Sequence, residues 1–244
     1  MILIIDNEDP AINVLANALR IGGAPVQVEA STDITLEAIR ELRPSGLVFS
    51  EGAGDPEDAG IAVPAIKSFA AVVPILGVGL GHRAIGAAFG ASTTRQPESD
   101  ATGTVQHDER TVFHNISTPL EVSSSPAPVL SDKEFPVALE VSARTPGGTV
   151  MGVRHRGFKT EGIQFRLEEM EPAQAEQLVR NWLNMLYDIH DEAFDQLRLT
   201  SPEPQTTQQS KNSEPEETVI HESGGKSMFE RAMEEEERRK KNNG

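Results

Sequence analysis

"VVPILGVGLGHRAIG", residues 72 to 86, is the stretch on which the fold turns. The apolar run Val72 to Val78 reads as a buried strand. It ends in glycines at alternate positions, Gly77, Gly79 and Gly81, and passes directly into a helical pattern. In α/β proteins such a turn holds either a phosphate or a nucleophile. The dinucleotide fingerprint does not fit, because its third glycine falls on His82 and the strand is not the first of the chain. A P-loop does not fit, since no Gly-Lys-Ser/Thr follows. A nucleophile elbow fits the spacing: Gly77 and Gly81 are the small residues that let a tight turn close around position 79.

Outward from this turn, the first half alternates β-branched runs with helical periodicity. Strands are expected at Ile2–Ile5, Val26–Glu29, Leu47–Ser50 and Ile75–Val78, and helices near Ile12–Ile21, Thr35–Leu42, Ala62–Ala70 and Leu80–Phe89. That order predicts a mostly parallel central sheet with helices on both faces, a three-layer flavodoxin-like α/β fold. After Ala91 the pattern changes to short runs between turn residues, "TVFH", "PLEVSSSPAPVL", "ALEVSA", "TVMGVRH" and "GIQF", which read as more antiparallel strands. A last helix is expected from Pro172 to about Leu197, with Leu178, Val179, Trp182, Leu183, Leu186 and Ile189 at helical spacing for packing on the sheet.

The chain has 244 residues, enough for one α/β domain and an appendage. Its 38 acidic and 22 basic residues give a net charge of −16, which disfavours a nucleic-acid surface or an anionic membrane. With no cysteine there is no disulfide, no thiolate metal site and no cysteine nucleophile. No metal site and no cofactor are expected. The longest uncharged, mostly apolar stretch, Ser68 to Gly81, is 14 residues with a proline inside, short of the roughly 18 that suggest a membrane span. The opening strand lacks the basic segment and cleavage site of an export signal, so a cytoplasmic location is expected.

Beyond Thr200 the composition turns polar and proline-containing, with too little apolar surface to offset the entropy of ordering. Residues 1–198 are therefore expected to form the domain, 199–226 a disordered linker and 227–244 a charged, helix-prone tail. The last segment, "SMFERAMEEEERRKKNNG", opens with Ser227 and Glu230 at capping-box spacing and carries four i,i+4 Glu-to-Arg/Lys pairs. Met228, Phe229, Ala232 and Met233 form an apolar cluster suited to a partner's groove. A solvated helix without a partner is the competing reading.

"PILGVGLGHRAIGAAFG" resembles the elbow of the class I glutamine amidotransferases of the anthranilate synthase and aminodeoxychorismate synthase component II type, where the pattern is P-I-L-G-V-C-L-G-H-Q-A-I-G. The resemblance recurs in order along residues 1 to 190. "ILIIDNEDP" is similar to the family's opening strand and D-N-x-D. "LVFSEGAGDPEDAGI" is similar to its S-P-G-P-G-x-P-x-D-A-G-I loop. "MGVRH" and "EGIQFRLEE" are similar to M-G-x-R-H and E-G-V-Q-F-H-P-E-S.

The departures are as ordered as the matches. The resemblance places the family's cysteine nucleophile at Gly79, its histidine base at Arg166 and the orienting glutamate at Glu168. The glutamine after Gly-His becomes Arg83, and the tyrosine-histidine-serine-leucine segment that helps hold glutamine survives only as "VSSSP" around Ser123. The resemblance also implies an oxyanion hole from the backbone N–H groups of Gly52 and Leu80. Thiolate attack needs a sulfur and a base that exchanges protons near neutral pH. Gly79 offers only hydrogen, and an arginine stays protonated. No neighbour replaces them, since the nearest hydroxyls in sequence, Ser68 and Ser92, are expected on flanking helices.

The expected protein is therefore a catalytically silent amidotransferase-like scaffold or regulatory subunit, with Glu168 pairing Arg166. An alternative use of the degenerate pocket is a small anion held by Arg83, Arg166 and the backbone amides. Salt bridges from Glu51 and Glu168 that plug the pocket compete with that ligand and are favoured over it. A third reading is a working glutamine amidotransferase subunit. By resemblance the partner is a chorismate-utilising synthase subunit, though Glu8, Pro10 and Ala11 depart from the family's D-N-Y-D-S-F opening.

Overall fold

A computed structural model describes residues 1–95, 103–122 and 128–198, with side chains to residue 186. Its elements, in chain order, are β1 (Ile2–Asn7), α1 (Ile12–Ile21), β2 (Val26–Ala30), α2 (Leu36–Leu42), β3 (Gly46–Gly52), α3 (Ala62–Phe69), β4 (Ile75–Val78) and α4 (Leu80–Ala88). There follow β5 (Thr93–Arg95), β6 (Thr104–His107), β7 (Leu120–Glu121), β8 (Pro128–Leu130), β9 (Leu139–Arg144), β10 (Val150–His155), β11 (Thr160–Ile163) and α5 (Pro172–Arg198).

One nine-stranded sheet runs β2-β1-β3-β4-β11-β10-β9-β6-β7, and β5 pairs with β8 in a separate antiparallel ribbon. The five strands from β2 to β11 are parallel, and from β11 onward each neighbour is antiparallel. Alternation sorts the two faces. Ile2, Ile4, Val48, Leu76 and Val78 pack with Val14, Leu15 and Leu19 of α1 and with Leu178, Val179 and Trp182 of α5. Leu3, Ile5, Leu47, Phe49 and Ile75 face Ile39 of α2, Ile66 of α3 and Ile85 of α4. The mostly parallel sheet between helical layers is the expected α/β architecture.

The differences from the sequence reading are local. "TVFH" forms a short 3-10 turn over Thr111–Phe113, with Glu109 and Thr111 at positive φ, and contributes no strand. Val112 and Phe113 are buried all the same, held from α5 by Asn181, whose side-chain amide donates to the carbonyls of Val112 and His114 at 3.0 and 2.7 Å. Burial there is set by packing against α5, so an apolar run of two residues mimics a strand in sequence. "GIQF" pairs two residues earlier than expected, as Thr160–Ile163. Ser92 lies between α4 and β5, not on a helix; Ser68 is on α3. The expected 199–226 linker, the 227–244 tail and Ser123 fall outside the described residues.

The antiparallel half is tied together by Arg154 of β10. Its guanidinium donates to Glu161 Oε1 at 2.7 Å, Asp108 Oδ2 at 2.7 Å, Glu140 Oε1 at 3.1 Å and Thr111 Oγ1 at 2.8 Å. Burial dominates at Glu161 and pushes its carboxyl up to about 7 in spite of the neighbouring guanidinium.

Candidate functional site

The parallel strands end together at one edge, where open α/β sheets place their ligands. There β4 turns into α4 at Gly79, whose backbone sits at φ 53°, ψ −105°. Residues with a β-carbon rarely adopt that conformation. The turn is locked from both sides: the Gly79 N–H donates to the Ile163 carbonyl of β11, and Arg83 N–H donates back to the Gly79 carbonyl. Close approach explains the flanking glycines. A β-carbon on Gly77 would stand 2.4 Å from the Gly81 carbonyl oxygen, and one on Gly81 would stand 2.2 Å from that of Phe49.

The neighbouring edge is the end of β3. Ser50 accepts the Asn7 N–H at 2.9 Å and donates to the Glu51 carbonyl at 2.8 Å, while the Asn7 side chain donates to the Ser50 carbonyl. Gly52 sits against Asn7 so closely that an added β-carbon would be 2.4 Å from the Asn7 carbonyl oxygen. This bracing aims the Glu51 side chain across the gap to the elbow.

Glu51 fills the space in front of Gly79. A β-carbon built on Gly79 would lie 1.0 Å from Glu51 Oε2 and 2.2 Å from its carboxyl carbon. The Leu80 N–H donates to that same Oε2 at 3.0 Å, and the Gly52 N–H also stabilises the carboxylate. The carboxylate thus engages the two amides that resemblance assigned to an oxyanion hole, with Oε2 on Leu80 at the N-terminus of a nine-residue helix.

Arg83 backs this arrangement. Its side chain is 2% exposed, 3.7 Å from Glu51 Oε1, and it donates to the carbonyls of Gly54 and Pro128 at 3.4 Å each. Burial raises the Glu51 pKa, opposed by Arg83 and then by the Gly52 and Leu80 amides; burial lowers the Arg83 pKa, opposed by Glu51. Because the carboxylate accepts two backbone bonds and faces a guanidinium, the ionised pair is the state that this geometry serves. His82 is wholly buried under β11, and burial with the nearby Arg83 charge depresses its pKa to about 3, so it is neutral.

Arg166 makes its expected ion pair with Glu168, Nη1 to Oε1 at 3.5 Å, and engages a second carboxylate as well. Its Nε and Nη2 donate to Glu169 Oε1 at 3.2 and 3.1 Å, and its backbone N–H donates to Glu169 Oε2 at 3.0 Å. The reason is local: Arg166 caps the 3-10 turn Leu167–Glu169, which places residue 169 under its own cap. No ion pair or hydrogen bond among the described residues joins Arg166 to Glu51; Arg83 pairs with Glu51, and Arg166 with Glu168 and Glu169. Glu168 also lines an open cavity of about 550 Å³ with Glu121, Glu169 and Glu171; burial raises its pKa, opposed by Arg166.

No group of three or more His, Asp or Glu side chains suited to a metal ion occurs among the described residues, and no described helix is long and apolar enough to cross a membrane. The sequence reading missed Glu169, whose signal is its i,i+3 spacing from Arg166, and the Ser50–Asn7 brace, which only strand order brings together.

A strand-to-helix elbow at the carboxyl edge of a mostly parallel sheet, with backbone amides in front of it, has the architecture of an open α/β protein built around a nucleophile turn. The family model for class I glutamine amidotransferase matches residues 3–186, and the chain belongs to that family. It is 38% identical over 186 residues to aminodeoxychorismate synthase component 2 of Klebsiella aerogenes, covering 75% of this chain and 100% of that one. It is 39% identical over 190 residues to the same component of Serratia marcescens, with the same two coverages. With aminodeoxychorismate/anthranilate synthase component 2 of Bacillus subtilis it shares 34% over 185 residues, 75% of this chain and 95% of the relative. The crystal structure of a protein described as a GMP synthase subunit, from Thermoplasma acidophilum, superposes with a TM-score of 0.69 at 20% identity, over 79% of this chain and 96% of that one, a likeness of fold.

Proposed function

We propose that this chain is a glutaminase-like subunit of a chorismate-using synthase assembly in which glutamine hydrolysis is silent, so that it acts as scaffold or regulator. One observation carries the reading: the Glu51 carboxylate lies on the Gly52 and Leu80 amides, in the space that a nucleophile's β-carbon would need. A tetrahedral intermediate there would have to displace an anion already bound, and position 79 has no atom with which to attack. Arg166, engaged by Glu169 and always charged, supplies no general base. The relatives named above support the partner class. Ammonia would reach such a partner from solution.

The names of those relatives favour a second reading, a working glutamine amidotransferase subunit. One assay separates the two. Purified full-length chain, alone and mixed with a chorismate-using synthase component, is incubated with glutamine and glutamate release is followed. The silent reading expects no release above a protein-free blank, with the mixture active on ammonium alone. Release that follows protein concentration and disappears in Glu168→Gln overturns it.

A further inference from the structure

The edge of the sheet opposite the elbow has its own chemistry. The exposed large apolar side chains among the described residues are Ile21, Leu42, Val72, Val137 and Phe158. All five lie at the ends of α1 and α2 or in the turns that open β4, β9 and β11, which is the edge where the parallel strands begin. Beside Ile21 is an apolar cavity of about 130 Å³ lined by Ile2, Ala24, Pro25, Leu183 and Leu186, with Ser45 at its margin. Arg20 in the last turn of α1 and Arg43 at the cap of α2 stand at the same edge, and neither makes an ion pair among the described residues.

α5 starts near the elbow edge, passes the cavity at Leu183 and Leu186, and continues twelve residues to Arg198, about 18 Å farther. From Leu199 to Lys226 is a polar segment of 28 residues. For 28 residues of this polar composition the root-mean-square span is about 30 Å, enough to reach from Arg198 back to the cavity, and a tether of that length gives an effective concentration on the order of millimolar. In that terminal segment Phe229 and Met233 are four apart, and Glu236 and Glu237 follow Phe229 by seven and eight. On a helix these four share one face, apolar first and acidic about 10 Å on. The apolar turn matches the cavity, and the acidic turn matches Arg20, which ends α1 on the cavity's own side of the sheet and bonds only Asn17 among the described residues.

We infer that the chain's own C-terminal segment, residues 227–244, docks at the amino edge of the sheet, with Phe229 in the cavity beside Leu183 and Leu186 and its glutamates towards Arg20. This does not depend on the reading of the elbow. It makes the tail an internal ligand of a face remote from the glutaminase-like pocket.

Because the chain has no cysteine, it can be probed by disulfide trapping. Full-length protein carrying Ile21→Cys and Ala232→Cys is oxidised with diamide, and the control carries Val137→Cys and Ala232→Cys. The proposal expects an intramolecular crosslink at least tenfold faster for the first pair, with the advantage lost on adding Phe229→Glu. Equal rates for the two pairs would overturn it, as would a crosslink that joins two chains. Hydrogen exchange needs no new cysteine: the amides of Gly22, Gly23 and Ala24 in the Phe229→Glu chain should exchange several-fold faster than in the unaltered chain. Unchanged exchange there overturns the docking.

Discussion

Gly79 and Glu51 ought to behave as one unit. Gly79→Ala adds a β-carbon 1.0 Å from the Glu51 Oε2 position, at a backbone of φ 53°, ψ −105°. The strained conformation costs a residue with a β-carbon roughly 1–3 kcal/mol. Eviction of the carboxylate from the Leu80 and Gly52 amides costs about 2 kcal/mol more, taking a charge-assisted bond at roughly 1.5–3 kcal/mol with water replacing part of it. Gly79→Ala alone should therefore lose about 3–5 kcal/mol. Glu51→Ala alone should lose about 2 kcal/mol, since it forfeits the same bonds. In the double variant the eviction cost is counted once, so it should be no less stable than Gly79→Ala, which corresponds to a coupling of about 2 kcal/mol. Urea unfolding of the three full-length variants and the parent measures the cycle. Effects that add to within about 0.5 kcal/mol would mean that Glu51 does not occupy the space in front of Gly79 and would refute the reasoning.

Removing the internal anion should also open the site to an external one. Glu51→Ala, with Arg83 and two amides left without their carboxylate, should gain several degrees of thermal stability from tens of millimolar formate, while the parent gains none; equal responses would argue against the hole as the carboxylate's seat. Glu161 supplies a pH test. Its folded-state pKa of about 7 lies above the unfolded value near 4.5, so between those values the folded chain holds the proton that the unfolded chain gives up, and the Glu161 contribution to stability declines as pH rises through that window. Glu161→Gln keeps a side-chain acceptor facing Arg154 while removing the titration, and should flatten that part of the stability profile measured between pH 4.5 and 7.5. An unchanged slope would refute Glu161 as the titrating group.

Much of this protein was legible along the chain because the signals are local. Alternating and 3.6-residue periodicities depend on neighbours a few positions away, so the strands from β1 to β4 and their helices were found to within a few residues. The elbow was legible because close backbone approach admits only glycine at Gly77 and Gly81. What failed in the second half, "TVFH" as a strand, failed because α5 buries this turn through Asn181, 69 residues on from Val112.

From its sequence alone this chain has a parallel α/β sheet, a glycine elbow and no thiol with which to perform thiolate chemistry. Only the tertiary structure decides what stands in the thiol's place: Glu51, 28 residues before Gly79, is carried there because β3 and β4 are hydrogen-bonded neighbours that end at the same edge. It likewise decides that Arg166 meets Glu169 within its own 3-10 turn in addition to Glu168, while Arg83 faces Glu51. A charged side chain can choose among several partners in sequence, and its choice is made by distance, burial and the backbone donors that the fold brings within reach.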